Sequence, residues 1–208
     1  MYPAALAREE LGRNLYRAGD YAKAKDLLAR LATVRPEVRK VLDRLKEKEL
    51  PVVAIGKIED IFCGRGITEA LHTGSNAEGM QKTVEALERI PKGLIFTNLV
   101  DFDMVYGHRN DAAGYAAALR EVDAWLPGLT GTLGTGDMLV ITADHGCDPT
   151  TPGTDHTREE VPLLVYSKGL RSGVNLGRRG TFADLGATVA EVFGVKAPAG
   201  ESFLALLN

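Results

Sequence analysis

Residues 137–157 read DMLVITADHGCDPTTPGTDHT. The first seven form an apolar, β-branched run with the length of a buried strand. The fourteen that follow hold Asp144, His145, Asp148, Asp155 and His156 among prolines, glycines and threonines, which is loop composition. A strand that releases carboxylates and imidazoles onto the loop at its carboxyl end is how an α/β sheet builds a ligand site. Pro149, Pro152 and Gly153 bend this loop, so His156 is expected to turn back toward Asp144 and His145.

The same order of residues occurs upstream. GLIFTNLV (93–100) reads as a second apolar strand, running into Asp101-Phe102-Asp103 and then Tyr106-Gly107-His108. Three of the chain's four histidines therefore follow two strands. A single histidine is most often a surface or core residue; three of them beside aspartates at strand ends point to metal binding or catalysis. Asp101 and Asp148 are expected to orient a histidine from behind. His72 falls outside the pattern and reads as structural or surface.

Outward from these segments, PVVAIG (51–56) is a short buried strand, followed by Lys57, which is placed to meet a phosphate at the sheet edge. KIEDIF (57–62) reads as a further extended piece. Helices are expected over Val38–Leu50, over Ala77–Arg89 with Asn76 as cap, over Asp111–Leu126 and over Thr181–Phe193, and VPLLVYS (161–167) reads as a strand. Strands alternating with helices predict an α/β fold, a mostly parallel sheet with helices on both faces. Residues 1–37 differ. They carry helical periodicity in Ala, Leu, Arg and Lys, and Leu11-Gly12, Leu15, Ala24, Leu28 and Pro36 resemble a single tetratricopeptide repeat. One repeat does not bury its own apolar faces, so this segment is expected to pack on the neighbouring domain or on a protein partner. The organisation predicted is a helical appendage over 1–37 and a metal-binding α/β core over 38–208.

Composition narrows the rest. At 208 residues the chain supports one substantial core. A net charge of -3 with 25% charged residues gives no basic footprint for nucleic acid. No apolar run is long enough to span a bilayer, and nothing reads as a signal peptide, so no membrane partner is expected. Cys63 and Cys147 form no CxxC pair and read as reduced thiols, consistent with a cytoplasmic protein.

NLVDFDMVYGHRND and ITADHGCDPTTPGTDHTREEVPLLVYS resemble the metal-binding segments of the phosphopentomutases, a family of the alkaline phosphatase superfamily, and GKIEDIFCGRGITEALHTGSNAEGM resembles the same family. The resemblance runs from about Val41 to the C-terminus. It implies the alkaline-phosphatase-like fold and an isomerase that interconverts the 1- and 5-phosphates of ribose and deoxyribose with two manganese ions. It further implies that Asp103, His108 and His156 hold one Mn2+ and that Asp144 and His145 contribute to the second. A mixed carboxylate and imidazole shell suits manganese or zinc better than calcium. The family's phosphorylated threonine, a further aspartate ligand and a substrate-binding cap have no match here, so the site is expected to be catalytically incomplete in this chain. Thr150, Thr151 and Thr154 read as loop hydrogen-bonding residues and Cys147 as a small buried one. Two other functions fit the same residues: a metal-dependent phosphatase or other phosphomutase of the superfamily, and a non-catalytic protein that binds a partner through residues 1–37.

Overall fold

The computed structural model describes residues 36–208. The tetratricopeptide-like segment 1–37 therefore lies, apart from Pro36 and Glu37, outside the described residues. Helix α1 (Pro36–Glu47) opens on proline, whose fixed φ and missing N–H suit a first helical turn. Its Val41, Leu42 and Leu45 are buried, and the chain then enters β1 (Val52–Ile55), the most deeply buried strand.

β1 is the centre of a parallel sheet in the order β2-β1-β3, with β2 over Glu69–Leu71 and β3 over Leu94–Thr97. Val53 stands opposite Glu69 on one side and Ile95 on the other. Alternation sends Val52 and Ala54 to one face, where they meet Leu42, Leu45, Ile58 and Ile67. Val53 and Ile55 point to the other face, against Ala86 of helix α3 (Asn76–Arg89). Burial on both faces explains why PVVAIG is a continuous apolar run and not an alternating one.

KIEDIF is not extended. Gly56 turns the chain at φ +78°, and Ile58–Phe62 form a short helix, α2, that buries Ile58 and sets the Phe62 ring 5.8 Å from that of Phe96. The cap of α3 is Ser75, not Asn76: Ser75 Oγ accepts from the Glu78 N–H at 3.2 Å, and the Glu78 carboxylate accepts from the Gly74 N–H at 2.8 Å. This is a variant of the capping box in which the glutamate reaches the residue before the cap, and it releases the Asn76 side chain for another use. Helix α4 (Ala112–Thr132) begins after its Asp111 cap, as expected, but runs on through Pro127. Burial of Leu129 and Leu133 beyond the proline outweighs the single backbone hydrogen bond that Pro127 removes.

The remaining strands, β4 (Leu139–Ile141) and β5 (Leu164–Tyr166), form a separate antiparallel pair. The expectation of helices on both faces of a parallel sheet thus holds for β1 to β3 and not for β4 and β5. The reason lies in the connection: β4 and β5 are joined by the histidine-bearing loop and not by a crossover helix, so the chain returns reversed. Helix α5 (Ala183–Val192) packs against α1, and the short helix α6 (Leu204–Leu207) closes the chain. Among the described residues no helix is long and apolar enough to cross a membrane.

Gly56 is the hinge of this arrangement. A Cβ there would lie 2.3 Å from the Asn98 carbonyl oxygen, at a φ that side chains rarely adopt. Gly56→Ala is expected to destabilise the fold by on the order of 3 kcal/mol, measured by urea denaturation. An unchanged midpoint would mean that the turn into α2 relaxes without strain.

Candidate metal centre

After β3 the chain is fixed by a reciprocal clasp. The Asp101 carboxylate accepts from the Asn76 N–H at 2.7 Å, and the Asn76 side-chain oxygen accepts from the Asp101 N–H at 2.9 Å. Asn76 is buried. The chain then makes one π-helical turn, Phe102–Tyr106, followed by a 3-10 turn, Gly107–Arg109. Hydrogen bonds spanning five residues bring positions i and i+5 to one side. Asp103 and His108 are five apart, and His108 Nε2 lies 3.1 Å from Asp103 Oδ1. Gly107 is required at the end of the turn, because a Cβ there would sit 2.2 Å from Cys147 Sγ. The sulfur occupies that space and wedges the two ligand-bearing loops together.

The second loop is drawn in at a neck. Thr157 donates its N–H to the Gly146 carbonyl at 3.1 Å, and the Asp148 N–H donates to Thr157 Oγ1 at 2.8 Å. The loop between them folds back, and the His145 and His156 rings stack with centroids 3.7 Å apart. His156 Nε2 lies 3.1 Å from Asp103 Oδ1, and His145 Nε2 lies 3.9 Å from it. One carboxylate oxygen is therefore faced by three imidazoles.

The tautomers decide what this cluster can do. His108 Nδ1 is 2.5 Å from the Thr154 carbonyl oxygen, and His145 Nδ1 is 3.0 Å from the Gly146 carbonyl oxygen. A carbonyl only accepts, so each Nδ1 carries a proton and each Nε2 is the ring nitrogen that faces Asp103. Without its proton, such an Nε2 is placed to share a cation with the Asp103 carboxylate. Burial, and then the neighbouring His145, hold the His156 imidazole below its ordinary pKa of 6.5, against the pull of Asp103. His156 is therefore neutral near pH 7, as a ligand must be. Oxygen and nitrogen donors converging in this way fit a divalent transition ion.

The ligand atoms of Asp103, His145 and His156 all lie within 4.8 Å of one another. The structure thus draws His145 into the cluster of Asp103, whereas the resemblance pairs it with Asp144. His145 Nε2 is also 3.6 Å from Asp144 Oδ1, so it stands between the two groups. Asp144 itself is peripheral, with its side chain 58% exposed. Lys57, at the carboxyl end of β1, places Nζ 3.9 Å from Asp103 Oδ2.

Two expected partners are placed differently. Asp101 engages Asn76, and Asp148 accepts from the N–H and hydroxyl of Thr150; neither backs a histidine. Backbone carbonyls do that work, and loop composition gives no sign of which carbonyl it will be. His72 is exposed and pairs with Glu59 at 3.0 Å. Asn76 and Gly107 escaped the sequence reading because the first looks like a helix cap and the second like an ordinary turn glycine.

The pH response of the metal-free protein follows from His156. Its folded pKa lies below the unfolded value, so the unfolded chain takes up the proton first as pH falls. The contribution is fully present above pH 6.5 and is lost as pH falls through the folded value. Histidine proton NMR is expected to show a midpoint below 6.5 for His156, and His156→Gln to flatten the acid limb of the stability profile. A midpoint at or above the ordinary value would mean that Asp103 outweighs burial.

Comparison with known proteins agrees with this geometry. The chain is 59% identical to the phosphopentomutase of Anaeromyxobacter sp. (strain K) over 187 residues, 90% of this chain and 47% of that one. It is 61% identical to the phosphopentomutase of Caldanaerobacter subterraneus subsp. tengcongensis over 163 residues, 78% of this chain and 42% of that one. The chain thus spans about half the length of these relatives. The match to the Anaeromyxobacter protein leaves 21 of the 208 residues uncovered (208 less 187), so it reaches into the segment 1–37. A crystal structure of Leishmania mexicana phosphoglycerate mutase, determined at low cobalt concentration, superposes with a TM-score of 0.61 at 21% identity, covering 77% of this chain and 38% of that one, which shows a shared fold. Residues 38–197 match the Metalloenzyme superfamily, and the chain belongs to that superfamily.

Proposed function

We propose that this chain is the metal-binding part of a phosphopentomutase, serving the interconversion of (deoxy)ribose 1-phosphate and 5-phosphate with manganese in the cytoplasm. The observation that carries the reading is the convergence of His108, His145 and His156 on Asp103, from the two segments that resemble that family. When bound, two manganese ions would supply charge neutralisation for an in-line phosphoryl transfer. The protein's own part is positioning. Asp103, His108 and His156 would hold one ion, and Asp144 with His145 the other. Lys57, 40% exposed beside Asp103, meets the charge of an incoming phosphate. Residues 1–37 are proposed as a helical appendage open to a protein partner.

Two hydroxyls near the site are engaged by Asp148. Thr150 donates to the Asp148 carboxylate and Thr151 to the Asp148 carbonyl, so neither is offered as a phosphate carrier. An exposed Asp144, with no such carrier among the described residues, favours a second reading, a metal-dependent phosphatase that releases phosphate to water.

Manganese is expected to raise the melting temperature by an amount equivalent to a few kcal/mol at saturating ion. Calorimetry with and without the ion checks this; a shift that survives His156→Ala would remove the assignment. In a coupled assay on ribose 1-phosphate, the 208-residue chain alone is expected to show no mutase turnover. Slow manganese-dependent hydrolysis of an activated phosphate ester, abolished by Asp144→Asn, is the most it should give. Mutase turnover of about 10 per second would instead reveal a phosphate carrier within this chain.

A further inference from the structure

We propose that Asn76 is a positioning residue of the metal centre: by holding Asp101 it keeps the turn that follows π-helical, and that pitch brings Asp103, and not a neighbouring residue, to His108. The phase of the turn decides the ligand set. In an α-helical turn His108 would face Met104 and Val105, its i−4 and i−3 positions. The wider turn over Phe102–Tyr106 instead puts Asp103 Oδ1 3.1 Å from His108 Nε2. Such turns are rare and occur mostly singly, frequently at functional sites. Contacts from outside hold the two ends of this one.

The rear end is held by packing and by one side-chain amide. Gly107 lies against Cys147 Sγ, and Asn110, in the left-handed region at φ +54°, donates Nδ2 to the Thr151 carbonyl at 3.1 Å. The front end is held by Asn76. The Asp101 N–H stands at the start of the turn, where a helical segment leaves donors without an internal acceptor. Asn76 Oδ1 accepts from it at 2.9 Å. In return the Asp101 carboxylate accepts, at 2.7 Å, from the Asn76 N–H, an equivalent donor at the start of α3. Each helical segment thus caps the other. The positive end of the α3 dipole holds the Asp101 carboxylate, so Asp101 stays out of the histidine cluster and Asp103 serves it.

Burial makes the side chain at 76 hard to replace. Asn76 is 3% exposed, so water does not take over its oxygen as the partner of the Asp101 N–H. Helix α3 does not depend on that side chain, because Ser75 caps it and Gly79, Thr83 and Ala86 bury its inner face. Truncating Asn76 would therefore leave α3 in place while freeing Asp101 and the front of the turn, which then relaxes toward the α-helical repeat. Asp103 would lose His108. The stack of His145 on His156 would persist, because the neck between Gly146 and Thr157 holds their loop.

The inference rests on the proposed function only for the choice of ion. Manganese affinity is measured on the full chain by electron paramagnetic resonance of the free ion, at a temperature where circular dichroism shows each variant folded. Asn76→Ala is expected to weaken binding by about 10- to 100-fold. Asp101→Ala should do the same, and the double variant no more than either, since both remove one clasp. Asp101→Asn retains an accepting oxygen and should keep the native affinity. Val41→Ala, buried in α1 where that helix packs on β1 and α5, should lower stability and leave affinity unchanged. In the metal-free protein the His108 and His156 ring centroids are 4.9 Å apart. Their nuclear Overhauser contact should vanish in Asn76→Ala, while that between His145 and His156 persists. Native affinity in Asn76→Ala, losses that add in the double variant, or an Asp101→Asn loss as large as that of Asp101→Ala would each overturn the proposal. So would weakened binding in Val41→Ala, or a His108 contact that survives. If Asn76→Ala does not fold, the Asp101 pair decides between the same outcomes. An unaltered chain that binds no manganese removes the functional reading, and the metal-free ring contacts still test the clasp.

Discussion

One oxygen atom, Oδ1 of Asp103, organises this structure. His108 Nε2 and His156 Nε2 both stand 3.1 Å from it, and the carbonyl behind His108 fixes that ring with Nε2 turned inward. His156 Nε2 is hydrogen-bonded to this oxygen, and the Asp103 side chain remains partly exposed. The two loops that bring these rings to the oxygen are held from outside. The Asn76–Asp101 clasp fixes the start of one loop, the Gly146–Thr157 neck closes the other, and Cys147 Sγ fills the space left by Gly107. A cation placed among these ligand atoms would cross-link two sheets that share no described strand pairing.

The electrostatics of the surroundings agree with that use. Burial and the neighbouring imidazole keep His156 from protonating. Burial, with Asp103, Glu159 and Asp148 adding to it, also pushes the Cys147 thiol up. The sulfur so close to the cluster therefore stays protonated and acts as packing, not as a competing thiolate ligand. Among the described residues, Lys57 places an ammonium 3.9 Å from the Asp103 carboxylate, a distance that leaves it able to serve an anion arriving from the open side.

The legible part of this molecule was the part written in strong local patterns. An apolar run that ends in aspartate, followed by histidines and loop-forming residues, marked the carboxyl ends of β3 and β4, and the cluster is found there. KIEDIF misled because it follows a strand directly, although Ile58, Ile61 and Phe62 stand at helical i, i+3, i+4 spacing; the left-handed turn at Gly56 and the burial of Ile58 select a helix. The pairing of β4 with β5 was hidden for a different reason. Strand direction depends on what connects the strands, and a loop rich in ligands gives no signal of reversal. Asn76 carried two plausible local roles, and only the tertiary contact with Asp101 decided between them.

The π-helical turn over Phe102–Tyr106 also bears on how this gene can change over time. Phase along a helix is counted in whole residues, and in an α-helix each residue advances about 100°. Deleting one residue from this turn would restore an ordinary α-helical repeat and rotate His108 away from Asp103, while Gly107 would leave its place against Cys147. Adding one would do the same in the other direction. Substitutions at the exposed Met104 and Val105 leave the phase intact. Homologues that keep the centre are therefore free to vary the letters between Asp103 and His108 but not their number, and a length change there should coincide with loss of the imidazole cluster.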